Sequence, residues 1–337
     1  MSRRAPPVRG RDGRAWSCCY NPRVPDLALV TGGAGFIGSH LVERLLGDGH
    51  RVRVLDNFST GGRAFLPFAS RHGDALEIVE GDIRDLATVE RVARGARVIF
   101  HQAAMRSVPR SVQDPLGAND NNVLGTLHVL QAARATGVGR VVWASSSSVY
   151  GASPELPKRE DQCPAPISPY AVSKAAGEQY AAVWSRLYGV PTVALRYFNV
   201  FGPRQDPESE YAAVIPRFIL WALRGQPLEV HGDGTQSRDF TYVDNVVEAN
   251  LLAARATDVA GEAFNVGCGE RISLLTIIDM LEASLGRPLP RRHSPVRPGD
   301  VPHTLADVTK AKRLLGYQPV VAFAEGLRRT IEYFKGG

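Results

Sequence analysis

A chain of 337 residues with 44% hydrophobic and 22% charged side chains can bury a sizeable core, which excludes a disordered polymer. Its formal charge of +6 is concentrated in the first 26 residues, where six Arg face two Asp, so no basic stripe continues beyond them and a nucleic-acid-binding role is excluded. No apolar run approaches the ~20 residues of a membrane span, and Cys18, Cys19, Cys163 and Cys268 show neither metal-ligand spacing nor a disulfide framework, which predicts free thiols in a reducing cytoplasm and no metal site.

Residues 1–26 are rich in Arg, Pro and Gly, lack periodicity and lack the apolar stretch of a secretory signal, and read as a flexible tail. From Leu27 the chain alternates strand and helix patterns. LALVTGG (27–33) is a strand, FIGSHLVERLLGDG (36–49) a helix, RVRVLD (51–56) a strand, and EIVEGD (77–82) and RVIFHQAA (97–104) two more. A helix over 122–136, the strand RVVWASSS (140–147), a helix over 170–188 and the strand PTVALRYFN (191–199) follow. Repeats of this length predict a parallel sheet wrapped on both faces by helices, with ligands beyond the carboxyl ends of its strands. Past residue 200 the pattern loosens into turns with helices near 212–224, 243–256, 274–285 and 324–334, which predicts a smaller mixed lobe.

Three features carry chemistry. Glycines at 32, 35 and 38 stand between the first strand and the first helix. The first permits a tight turn, the second lets backbone approach a pyrophosphate, and the third lets helix pack on strand, so the loop through Phe36 and Ile37 reads as a dinucleotide cradle. Asp56 ends the second strand, where a carboxylate accepts hydrogen bonds from an adenosine ribose and repels a 2′-phosphate, which favours NAD over NADP. Asn57, Phe58, Ser59, Thr60 and Gly61 follow it and predict the adenine end, with Asp82 and Ile83 covering the ring. Finally, Tyr170 and Lys174 sit one helical turn apart, so an ammonium can favour a phenolate on the same face, downstream of a serine cluster at 145–148.

With these motifs the chain resembles the extended short-chain dehydrogenase/reductase family, and within it the nucleotide-sugar 4-epimerases. The resemblance runs over residues 26–335 through TGGAGFIGSHL, LDNFSTG, SVPRSV, DNNVLGT, SSSSVYG, SPYAVSK, LRYFNVFGPRQDP, SRDFTYVDN and RPGD. It is nearest to UDP-N-acetylglucosamine 4-epimerases. It implies a Rossmann-type doubly wound parallel sheet over 27–198 and a smaller mixed α/β C-terminal lobe over 199–337, with some chain crossing back to the sheet. It implies that Tyr170 is the base, that Lys174 lowers its pKa and binds the nicotinamide ribose, and that Ser146 hydrogen-bonds the reacting sugar oxygen. Gln102, Ala103, Ala104 and Asn121 join the cofactor site by the same resemblance.

For the substrate, the resemblance implies a UDP-sugar. Arg238 and Arg297 are expected on its diphosphate, Asn199 on phosphate or sugar, and Asp300 on Arg297 or the ribose. Ala213, Val214, Glu229 and Val230 are expected around the uracil, and Ser107 and Ser148 beside the sugar. Ser147 and Ser148 stand where related dehydratases carry Asp-Glu, and decarboxylating relatives place Glu at the Ser148 position, so epimerisation remains. Thr304 matches a position where hexose-only epimerases carry tyrosine, which leaves room for a 2-acetamido group. Arg106, a long cation where acetamido-sugar epimerases carry a small residue, points the other way, to the alternative of a UDP-glucuronate 4-epimerase. A non-catalytic dinucleotide sensor is the third reading. A homodimer through the helices 122–136 and 170–188 is also implied.

Overall fold

In the computed structural model residues 26–208, 213–296 and 301–336 are described. The tail, apart from Asp26, therefore lies outside the described residues, as do Cys18, Cys19, Arg297 and Asp300.

The strands are β1 (Leu27–Thr31), β2 (Arg51–Asp56), β3 (Leu76–Glu80), β4 (Val98–His101), β5 (Arg140–Ser146) and β6 (Thr192–Tyr197). Among and beyond them run α1 (Phe36–Gly47), α2 (Leu86–Ala93), α3 (Val108–Gln113), α4 (Pro115–Asn119), α5 (Gly125–Thr136) and α6 (Pro169–Tyr188). The second half adds β7 (Val200–Phe201), α7 (Val214–Leu223), β8 (Leu228–His231), β9 (Ser237–Arg238), β10 (Thr241–Tyr242) and α8 (Val243–Arg255). It closes with β11 (Glu262–Val266), β12 (Ile272–Ser273), α9 (Leu274–Leu285), β13 (Arg291–Ser294), α10 (Thr309–Leu315) and α11 (Phe323–Lys335).

The main sheet has the order β11-β6-β5-β4-β1-β2-β3 and every pairing in it is parallel. Strand alternation divides its side chains between two cores. Ala28, Val30, Val54 and Phe100 pack toward α1 and α8, whereas Leu29, Leu55, Ile99 and Val141 pack toward α2 and α5. Each of the buried Val, Leu, Ile and Phe side chains among these contributes roughly 1.5–3 kcal/mol. The strand order reverses between β1 and β4, and the crevice opens there.

The helices α2, α3, α4 and α10 and every strand after β6 were not legible from periodicity, β11 among them. That strand matters most, because Glu262–Val266 returns from the second half to pair with β6 as the seventh strand. Phe264 and Val266 are buried in the core, but five residues among turns carry too short a pattern to announce this. The helix expected over 122–136 begins earlier. Asp114 caps α4 by accepting from Gly117 N at 2.8 Å with Pro115 in the first turn, and a π-helical turn at Asp120–Leu124 joins α4 to α5.

One buried polar network fixes α6 against the sheet. Arg196 donates from Nε and Nη2 to the two oxygens of Glu178 at 2.9 and 2.7 Å, and from Nη1 to the Tyr150 hydroxyl at 2.8 Å. Ser145 donates to Glu178 at 2.5 Å, and Tyr150 donates to Asn265 on β11 at 2.6 Å. With both charged side chains 5% exposed, this pair needs every one of those bonds to offset its desolvation. The smaller lobe packs α7, α9 and α11 around Phe218, Leu228, Ile277, Leu281, Phe323 and Leu327. Among the described residues no helix is long and apolar enough to cross a membrane.

Candidate active site

A cavity of about 340 Å³ lies at the carboxyl ends of β1, β2, β4 and β5. The glycine loop forms one wall, with Phe36 and Ile37 at the head of α1. A Cβ on Gly32 would stand 2.6 Å from Ala103 N, and one on Gly38 would stand 2.0 Å from Gly32 O. The first glycine thus holds the β1 and β4 ends together, and the third seats α1 on the turn. Asn57, Ser59, Thr60 and Gly61 line the next wall; Ile83, Gln102, Ala103, Ala104 and Asn121 line the floor and far side. Gln102 is oriented by Tyr197 and Asn250, to which its Nε2 donates at 3.1 Å each.

Asp56 is nearly buried and accepts from Ala34 N and Phe58 N at 2.9 Å each. Burial raises its pKa and these two donors oppose the rise. Each carboxylate oxygen retains a lone pair for a ribose hydroxyl. A cradle that no side chain can enter, followed by a carboxylate at the end of β2, fits an NAD molecule laid along this wall.

Two expected cofactor residues stand back from the cavity. Phe58, at φ 55°, supports the loop, with its ring 5.2 Å from the Arg63 guanidinium. Asp82 accepts from Asn57 Nδ2 at 2.8 Å and pairs with Arg84, which hold its carboxyl below the ordinary carboxylate range. Arg84 is the member of that pair that lines the cavity.

Tyr170 and Lys174 line the same cavity. Ser168 caps α6 by accepting from Ala171 N at 3.2 Å, and Pro169 opens it, so Tyr170 sits in the first turn. Burial pushes the Tyr170 phenol up; a hydrogen bond with Ser146 and the Arg106 guanidinium oppose that rise. The sequence expectation assigned that opposition to Lys174. Here the Lys174 ammonium lies 5.9 Å from the Tyr170 ring centre and donates instead to Ala144 O at 2.7 Å, 5.0 Å from the Trp143 ring. Its burial pulls it from the ordinary lysine value down to about 7, against the opposing charge of Glu178 one turn on. Ser146 is held by its own turn, its Oγ accepting from Ser148 N at 3.1 Å. Ser107 is occupied as the cap of α3, accepting from Arg110 N at 3.2 Å.

A second cavity of about 280 Å³ lies in the smaller lobe. Asn199, Ala213, Val214, Glu229 and Arg238 line it together. Val230 does not: alternation along β8 turns it into the core, so only its main chain is on offer. Asn199 has a left-handed φ of 30° and donates from Nδ2 to Asp239 O at 3.1 Å and to Thr304 Oγ1 at 3.2 Å. With both amide hydrogens engaged, its free atom is the acceptor Oδ1, which suits a sugar hydroxyl and does not suit a phosphate. Thr304 is thereby fixed behind Asn199, and Asp239 holds the same corner by accepting from Cys268, Gly269 and Ala306 N–H groups.

Sequence reasoning missed Arg217, Trp221, His231 and Gln236 in the second cavity and Arg110, Arg204 and Asp206 in the first. The i,i+4 pair Arg217–Trp221, with the guanidinium 5.6 Å from the indole, was the one available signal. Among the described residues no group of His, Cys, Asp or Glu could hold a metal ion.

The profile of a family described as the NAD dependent epimerase/dehydratase family matches residues 28–267. A UDP-glucose 4-epimerase of Mycolicibacterium smegmatis is 42% identical, over 91% of this chain and 98% of its own length. The structure of a UDP-N-acetylglucosamine 4-epimerase from Methanobrevibacter ruminantium in complex with UDP-N-acetylmuramic acid superposes with a TM-score of 0.88 at 39% identity, covering 92% and 98% of the two chains. A Thermus thermophilus UDP-glucose 4-epimerase complex with NAD gives a TM-score of 0.83 at 39% identity, covering 92% and 99%.

The Lys174 geometry predicts a pH signature. The folded protein binds fewer protons than the unfolded chain between about pH 7 and the ordinary lysine value of 10.5, so the stability attributable to this residue rises with pH across that window. Chemical denaturation of cofactor-free protein should show wild type gaining stability relative to Lys174→Met from pH 7 to 10. A difference that stays flat would contradict the burial of a strained ammonium.

Proposed function

The chain belongs to the NAD-dependent epimerase/dehydratase family, and from that premise we propose that it is a UDP-sugar 4-epimerase acting on UDP-GlcNAc and UDP-GalNAc, and also on UDP-Glc and UDP-Gal. The observation that carries this reading is a half-buried phenol and a buried ammonium on one cavity wall, with serines where elimination or decarboxylation would require carboxylates. NAD, when bound, supplies the hydride acceptor and donor.

The residues then divide the work. Tyr170 removes the proton from the sugar 4-hydroxyl and returns it after the ring has turned over. Ser146, whose Oγ donates to Ser148 Oγ at 3.1 Å, is the group that would hold the reacting oxygen, and Lys174, now on Ala144 O, is the residue that would hold the nicotinamide ribose. Arg106 and Ser146 stabilise the phenolate. Meanwhile Arg238 holds the diphosphate in the second cavity, with Arg297 as its expected companion, and Trp221 and the 213–214 segment frame the base. Asn199 Oδ1 receives a sugar hydroxyl. Thr304, small and tied back to Asn199, leaves space for an acetamido group.

A second reading, UDP-glucuronate, is favoured by Arg106, whose guanidinium lines the reaction cavity. Incubating the protein with UDP-GlcNAc, UDP-Glc and UDP-GlcA and following C4 inversion by NMR separates the readings. The first predicts that UDP-GlcNAc is turned over fastest, that Thr304→Tyr lowers its rate relative to UDP-Glc, and that Tyr170→Phe loses roughly 10²–10⁴-fold with every sugar. Preference for the uronate would replace the first reading with the second, and no conversion at all would return the sensor.

We also propose a homodimer. Val172, Val183 and Leu187 on α6 and Leu124 are exposed apolar side chains within the 170–188 and 122–136 segments that the resemblance assigns to an interface, and Leu116 on α4 adds another beside them. Sedimentation should give twice the chain mass, and Leu187→Asp should shift the protein toward monomer. A wild-type monomer at micromolar concentration would rule the proposal out.

A further inference from the structure

The chain leaving β7 forms a strap, Gly202-Pro203-Arg204-Gln205-Asp206, whose Arg204 and Asp206 line the dinucleotide cavity. Arg204 adopts φ 62°, a left-handed conformation that a side-chain-bearing residue keeps only when its surroundings impose it. Those surroundings are specific. Its guanidinium, 10% exposed, donates to Phe65 O at 3.2 Å and to His40 Nδ1 at 3.1 Å, pairs with Glu43, and lies 5.8 Å from the Phe68 ring. His40 completes a closed circuit. Because Nδ1 accepts from Arg204, the ring proton sits on Nε2, which donates to Pro203 O at 2.9 Å. Burial and the Arg204 charge pull His40 down to about 3, so this neutral tautomer persists at any working pH.

The partners are the two walls of the cofactor cavity. His40 and Glu43 stand on α1, whose first turn carries Phe36, Ile37 and Gly38; Phe65 ends the segment that follows Gly61. We propose that Arg204 and His40 form a latch that pins the strap across both walls and sets the rate at which NAD leaves. A reaction that restores NAD to its starting form in each cycle requires no exchange, so slow release preserves the enzyme between turnovers. The inference rests on NAD as the resident dinucleotide and is independent of which sugar is turned over.

The test uses purified holoenzyme diluted into a coupled assay that traps free NAD. Arg204→Met and His40→Phe should each release NAD at least tenfold faster than wild type, and the double variant no faster than either, because the two residues act as one unit. Glu43→Gln, at an exposed partner, is the milder change and should give a two- to fivefold effect if the harsher variants fold poorly. With saturating NAD added, His40→Phe should turn over the sugar at the wild-type rate. Unchanged release in Arg204→Met, His40→Phe and Glu43→Gln, additive effects in the double variant, or a His40→Phe defect that added NAD does not rescue would each overturn the latch. Failure to turn over any sugar by wild type would leave NAD release measurable, so the latch and the epimerase reading fail separately.

Discussion

The structure depends on keeping an ammonium out of water. Lys174 reaches from α6 to the carbonyl end of β5, and only a neighbour fixed to within a few tenths of an ångström can supply the 2.7 Å bond that offsets its desolvation. The Glu178–Arg196 pair one turn further on provides that fixity, because it nails α6 to β6 and, through Tyr150 and Asn265, to β11. The seventh strand, drawn from the far half of the chain, is thus part of what aligns the phenol and the ammonium. Burial, opposed by the charge of Glu178, brings Lys174 down to about 7 on the wall of the cavity that Tyr170 also lines.

The sequence was most readable where the chemistry is local. A glycine every third residue between a strand and a helix, a carboxylate at the next strand end and a Tyr–Lys pair at helical spacing each sit within one or two elements. All of them line a single cavity. Contacts between distant segments were not readable. The Arg204–His40 bond spans 164 residues and the Asn199–Thr304 bond 105, and neither residue type nor spacing announces them. Phe58 and Asp82 show the converse limit. Their positions after strand ends pointed to the cofactor, and the left-handed turn at Phe58 and the arginine partner of Asp82 are features that spacing did not announce.

The two cavities also divide labour in a way the motifs alone did not convey. The first, between β1 and β4, has the glycine loop along one wall and Asp56 at the end of β2, which suits an extended dinucleotide. The second is walled by Phe218, Trp221, Phe240, Arg217 and Arg238, which suits an aromatic base and an anion. Asn199 stands on the wall of the second with its acceptor oxygen uncommitted, and its strained φ is held by Asp239 and Thr304. A nucleotide gripped in one place while the sugar swings in the other is the division that inversion at C4 requires.

The most direct measurement is isotopic. A UDP-sugar carrying deuterium at C4, converted by the purified protein without added cofactor, should yield the inverted sugar with the deuterium still at C4 and none in the solvent. Loss of the label to water would mean that inversion proceeds by proton exchange at carbon, and would contradict an account in which the Tyr170–Lys174 pair serves a hydride that leaves and returns.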